Sequence, residues 1–235
     1  MLQLILVALL FAFLVRSNDD SAEAEDALFG RIWRPRLGQD FQIVLSATID
    51  ADRRHGPIVP EYAQIFDVDL FDNTAETIRQ LKWAGKKVIC YFSAGTSETW
   101  RPDFKRFKEI DQATPLPMWP GERWLDIRSR DVMRIMRARV RYASRKGCDA
   151  IDPDNMGKIY QLRWQVLGSD TCAIDGYGNE KGGGFKKPLS QLDSIVFLRR
   201  LARYTHLYGM SIGLKNAQEI IPYVIQDVSF AVNEV

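Results

Sequence analysis

Cysteine and histidine are scarce in this chain of 235 residues, with 3 cysteines and 2 histidines. No two cysteines form a C-x-x-C pair, and His55 and His206 lie far apart. These counts exclude a disulfide scaffold and leave little from which to build a Cys/His zinc site. Glycine-rich G-x-G-x-x-G and G-x-x-x-x-G-K-[ST] strings are absent, which argues against the common dinucleotide and P-loop phosphate sites. Neither sign of charge dominates: 32 Lys+Arg face 30 Asp+Glu, a net charge of +2. That balance points neither to nucleic acid nor to an anionic membrane surface. No cofactor or metal is implied. The acidic pairs Asp50/Asp52 and Asp67/Asp69 lack the further oxygen ligands, regularly spaced, that calcium takes. Hydrophobic residues at 46% and charged residues at 26% are ordinary for a folded globular chain, and the length suits one large domain or two small ones.

One long apolar run is present. Residues 2–15 are apolar except for Gln3, and an acidic segment running to Asp26 follows. The run is short for a membrane-spanning helix and typical of a signal-peptide core. The expected organisation is a signal peptide over 1–17, an acidic spacer over 18–30 and a folded domain over 31–235. Secretion to the extracellular space follows, with membrane attachment only if the first segment stays uncleaved.

Beyond the spacer, short β-rich runs alternate with amphipathic stretches. Strands are expected at 41–46, 65–70, 87–93, 124–127, 148–154, 210–216 and 228–234. Most are apolar without strict alternation, as in parallel strands buried on both faces. Helices are expected at 75–84, 130–146 and 191–208, each followed by a glycine (Gly85, Gly147, Gly209) suited to the helix stop. The βαβα order predicts a parallel α/β fold. A (β/α)8 TIM-type barrel, truncated after its seventh strand, is favoured over an open doubly wound sheet. No phosphate loop follows the first strand, and nearly every strand ends in a polar residue: Ser46, Asp69, Ser93, Asp126, Asp154, Lys215 with Asn216, and Glu234. In a barrel those ends converge on one mouth.

The densest constellation is Asp152-Pro153-Asp154-Asn155 at the end of the fifth expected strand, and the second is Asn233-Glu234 at the end of the seventh. Two carboxylates facing each other across a mouth are what glycoside hydrolysis needs, one to protonate the leaving oxygen and one to act as nucleophile or base. The same residues also suit a helix-capping turn and a solvated chain end. Lys215 could hold a carboxylate in position. Trp100 could stack on a sugar, and Arg101 could pair with Asp103 or Asp126. Cys90 and Cys148, in strands, read as buried thiols, and Cys172 as the free one.

The strings IFDVDLFD (65–72), KKVICYFSAGTSETWRPD (86–103), PGERWLDIRS (120–129), GCDAIDPDN (147–155), IDGYGN (174–179), GMSIGLKNA (209–217) and SFAVNE (229–234) resemble glycoside hydrolase family 114. That resemblance implies a TIM-barrel endo-α-1,4-polygalactosaminidase acting on a galactosamine-containing polysaccharide. It implies Asp154 and Glu234 as the catalytic carboxylates, with Asp154 preferred as nucleophile and Glu234 as acid/base. Around them the expected substrate-binding residues are Asp69, Tyr91, Ser93, Trp100, Arg101, Asp126, Asp152, Asn155, Lys215, Asn216 and Asn233. Two departures stand out: an extra segment at about 156–173, and an end soon after the Asn-Glu pair. The expectation is that both are errors of the gene model, a retained intron and an early stop. A non-catalytic carbohydrate-binding relative is the alternative reading.

Overall fold

The structure, a computed structural model, describes residues 32–117, 119–156 and 184–233. The expected signal peptide and spacer, nearly all of the extra segment, Cys172 and Glu234 lie outside the described residues. All the described elements from Trp33 onward belong to one compact unit. In chain order they are β1 (Phe41–Val44), β2 (Ile65–Asp69), α1 (Ala75–Trp83), β3 (Lys87–Ser93), β4 (Thr96–Glu98), β5 (Gln112–Pro115), β6 (Glu122–Leu125), α2 (Arg130–Lys146), β7 (Ala150–Asp154), α3 (Gln191–His206), β8 (Ser211–Lys215), α4 (Ile221–Val224) and β9 (Phe230–Val232).

Each long helix begins where its sequence says it should. Thr74 accepts from the Thr77 amide at 3.0 Å. Ser129 accepts from the Asp131 amide at 3.1 Å. Ser190 and Asp193 form a reciprocal capping box. Helix α2 ends on Gly147, whose φ of 93° is left-handed and suits a residue without Cβ. The helices bury Ile78 and Leu81, Val132, Ile135, Met136 and Val140, and Ile195, Leu198 and Leu201 in one core against the outer face of the sheet. Burial of each such side chain stabilises the fold by roughly 1.5–3 kcal/mol.

The main sheet is parallel, in the order β1-β2-β3-β7-β8-β9. Its inner face carries a second, separate cluster in which Phe230 of β9 packs with Ile65, Ile89 and Ala150 of β2, β3 and β7. Phe230 reaches them because Gly213 of β8 has no side chain: a Cβ there would lie 2.4 Å from the Phe230 ring. The sheet thus curls into half of an α/β barrel. Among the described residues β1 and β9 are its two edges.

Two expectations need correction. Among the described residues the main sheet has six parallel strands, not seven. The run around Trp124 and Leu125 belongs to β6, the centre of a separate antiparallel sheet β4-β6-β5. Strand β3 therefore pairs directly with β7, from Ile89↔Ala150 to Ser93↔Asp154. Four residues pair equally well in either kind of sheet, so the run alone did not say which. Second, Cys90 and Cys148 are not thiols but a disulfide, with Cα atoms 6.0 Å apart. It ties β3 to the residues just before β7.

Candidate active site

In parallel strands, residues two apart share a face, so Asp67 and Asp69, Tyr91 and Ser93, and Asp152 and Asp154 line the inner face toward the C-terminal ends. Register sets Asp69, Tyr91 and Asp152 at one level and Ser93 and Asp154 at the next. Lys215 ends β8 beside them.

Asp154 is half-buried. Its Oδ2 accepts from the Tyr91 hydroxyl at 3.0 Å and its Oδ1 from the Asn155 amide at 2.7 Å. Burial, with the Asp154 charge behind it, pushes the Tyr91 phenol far up, so Tyr91 stays a proton donor to the carboxylate. Asn155 follows at a left-handed φ of 59°, a conformation asparagine tolerates better than most. Its side-chain amide donates to Ser93 Oγ at 3.0 Å. The Asp154 carbonyl accepts from the Ala94 and Gly95 amides. Gly95 is packed so closely that a Cβ would lie 1.5 Å from the Asn155 carbonyl oxygen. The carboxylate is therefore fixed from its own strand, the neighbouring strand and the loop beyond it.

One level down, Asp152 and Lys215 are fully buried and paired, Nζ to Oδ2 at 3.6 Å. The Lys215 ammonium also lies 5.3 Å from the Tyr91 ring centre. Burial pushes the Asp152 carboxyl up, against the pull of Lys215. On β2, Asp69 receives Arg101 through both guanidinium nitrogens, Nη1 at 3.0 Å and Nη2 at 2.5 Å. Arg101 Nε donates to Glu98 at 2.9 Å. Arg101 thus pairs with Asp69 and Glu98 rather than with Asp103 or Asp126. Asp103 instead binds Arg139 of α2, whose Nη1 also donates to the Ser93 carbonyl at 2.7 Å.

The remaining expected residues divide. Asn216, buried at φ 57°, donates its amide to the Val232 carbonyl at 2.7 Å and so joins the ends of β8 and β9. Asn233, directly after β9, is exposed. Glu234 follows it, outside the described residues. Trp100 is exposed beside the Gly121 turn. Asp126 lies in the turn before α2 and is held by Arg128, Nε to Oδ1 at 2.8 Å and Nη2 to Oδ2 at 3.0 Å.

Three carboxyls escaped the sequence reading of the site. Asp67 is buried beside Asp152, and Glu98 and Glu122 sit opposite one another on β4 and β6. Glu122 accepts from the Thr96 hydroxyl at 2.6 Å, and Thr96 contacts Ser93, which links Glu122 to the Asn155 side chain. Burial raises the Glu122 carboxyl, and Asp154 nearby adds to the effect. The period-two placement of Asp67 under Asp69 was the available signal. Nothing comparable marked Glu122. A cavity of about 360 Å³ lined by Arg53, Ile58, Glu61, Trp83 and Lys86 lies elsewhere, by the N-terminal end of β3. No described helix is long and apolar enough to cross a membrane.

A half-buried carboxylate, steadied by a phenol at the C-terminal rim of a parallel α/β half-barrel, stands where barrel enzymes build their active sites. The likenesses to solved structures agree on the fold. The glycoside hydrolase domain of PelA from Pseudomonas aeruginosa matches with a TM-score of 0.51 at 10% identity, covering 83% of this chain and 66% of that one. Eubacterium rectale Amy13B matches with a TM-score of 0.52 at 10% identity, covering 89% and 51%. Aspergillus fumigatus Ega3, solved in complex with galactosamine, is nearer: 43% identity, TM-score 0.71, covering 86% of this chain and 68% of that one. No curated protein matches the chain. The sequence model of glycoside-hydrolase family GH114 matches residues 23–235, and the chain belongs to that family.

Proposed function

We propose that this glycoside hydrolase is exported and cleaves α-1,4-linked galactosamine polymer internally, with Asp154 and Glu234 as its carboxylate pair. The observation that carries the reading is Asp154: half-buried, held by Tyr91 and the Asn155 amide, and surrounded by further acids. Asp69, Asp152, Asp154 and Glu122 outnumber the neighbouring cations Arg101, Arg139 and Lys215. Free amino sugars are cations, and a cleft of one sign concentrates the opposite one. The galactosamine bound by Ega3, at 43% identity, supports the same substrate class. Asp154 is the preferred nucleophile and Glu234 the preferred acid/base. The Cys90–Cys148 disulfide supports export, since such bonds persist in oxidising compartments.

The test is release of reducing ends from de-acetylated galactosamine polymer by wild type, Asp154→Asn and Glu234→Gln. Each substitution is expected to lower kcat by at least about a hundredfold. Hydrolysis unaffected by either change would remove these residues from the chemistry. Polymer binding without hydrolysis by the wild type would favour a carbohydrate-binding role instead.

A further inference from the structure

We propose that Asp67 is a positioning residue: it keeps a proton that it shares with Asp152 beneath the mouth, so that Asp152, matched to Lys215, carries the only negative charge of that buried group below Asp154. The inference rests on Asp154 being the reacting carboxylate.

Asp67 lies on β2 and Asp152 on β7, with β3 between them. Alternate strands of an α/β barrel contribute side chains to one interior layer, which is how two acids from non-adjacent strands come face to face. Asp67 is 1% exposed and Asp152 0%. Neither carboxyl accepts a hydrogen bond from an amide, hydroxyl or guanidinium among the described residues. The Lys215 ammonium stands within ion-pair distance of Asp152. Among the described residues no cation comes that close to Asp67.

The neighbours of Asp67 settle which acid stays neutral. Opposite it in register are Ile43 of β1 and Ile89 of β3, and beyond Ile89 lie Ala150 of β7 and Ser211 of β8. The charged groups that bear on it are Asp152 and Asp154 of β7 and Lys215 of β8. Two of those three are carboxyls. An ionised Asp67 would be a buried charge without an ion-pair partner among the described residues, which proteins avoid by holding the proton. Burial first and the Asp152 charge second push the Asp67 carboxyl well above the usual carboxylate range. A neutral Asp67 can donate its hydroxyl to Asp152, satisfying both groups. Asp154 then stands two residues along β7 above a group whose charges cancel. If Asp67 lost its proton, a second negative charge would face Asp154 and Asp152 together, and the pairing that holds Lys215 would loosen.

The test uses the full-length protein. Infrared spectra of wild type at pH 8, above the range in which Glu98 holds its proton, are expected to contain the carbonyl stretch of a protonated carboxyl that disappears in Asp67→Asn and in wild type at higher pH. This measurement needs no substrate, so it separates failure of this inference from failure of the proposed activity. In hydrolysis assays at pH 6, Asp67→Ala is expected to lower kcat/KM by about a hundredfold through misplacement of the groups above it. Asp67→Asn, which keeps the shape and a donor toward Asp152, is expected to rescue most of that loss. Wild-type kcat is expected to fall on the alkaline side, and that fall is expected to flatten in Asp67→Asn, an effect that a packing role would not produce. Absence of the protonated-carboxyl signal in wild type, its persistence in Asp67→Asn, or an Asp67→Asn as impaired as Asp67→Ala would each overturn the proposal. If Asp67→Asn does not fold, the wild-type signal and its loss on raising pH decide the matter.

Discussion

Reduction of the Cys90–Cys148 disulfide offers a prediction with a calculable size. The two cysteines are separated by 58 residues, a span that includes the antiparallel sheet and all of α2. Cross-linking a loop of that length restricts the unfolded chain by an amount worth about 4 kcal/mol at 25 °C in the loop-closure account. Backbone pairing between β3 and β7 persists without the bond, from Ile89↔Ala150 to Ser93↔Asp154, so the native state should survive reduction and the loss should fall on the unfolded side. Urea unfolding with and without reductant measures it. The midpoint is expected to drop by the equivalent of about 4 kcal/mol, and the slope to steepen because the reduced unfolded chain is more expanded. Thiol titration in denaturant should find one reactive thiol per chain before reduction and three after, since the sequence holds 3 cysteines. Three thiols without reductant, or a midpoint that reductant does not move, would refute the reasoning.

Two further outcomes are expected. Gly95→Ala would place a Cβ 1.5 Å from the Asn155 carbonyl oxygen. The displaced turn should cost about 1–3 kcal/mol in stability and at least about a hundredfold in kcat/KM, and unchanged kinetics would show that the turn does not hold Asp154. Stability should also respond to Glu98, whose carboxyl burial pushes up from 4.5 to about 7 although Arg101 and Arg139 pull it down. Between those values the folded protein holds a proton that the unfolded chain has released, so stability declines as pH rises through the window. The decline should total about 3 kcal/mol, and the slope of unfolding free energy against pH should flatten in Glu98→Gln.

The long elements were legible in the sequence because local signals agreed with the tertiary arrangement. Ile78 and Leu81 marked the buried side of α1, and Gly147 marked the end of α2. The apolar runs at β2, β3, β7 and β8 marked strands covered on both faces. The antiparallel sheet was not legible. Thr96-Ser97-Glu98 has no apolar alternation, and Gln112–Pro115 ends in a residue that cannot donate to a ladder. Their pairing with β6 is a fact of space. The disulfide was hidden for the same reason, since two cysteines 58 residues apart read as thiols until strand pairing brings them together. Asp152, Asp154 and Lys215 could be placed at strand ends from spacing alone. What fixes Asp154 there, the Tyr91 hydroxyl and the turn against Gly95, required coordinates.

The antiparallel sheet leaves the barrel after Ser93 and the chain returns through α2 to the strand that pairs with Ser93's own. Departure and return are thus neighbours, locked by backbone pairing and by sulfur. A branch rooted in this way can grow, shrink or change its tip near Gly121 while its foundations stay still. The tip of the outgrowth can therefore change without moving the strands that carry Asp154, so the two are free to evolve on separate schedules.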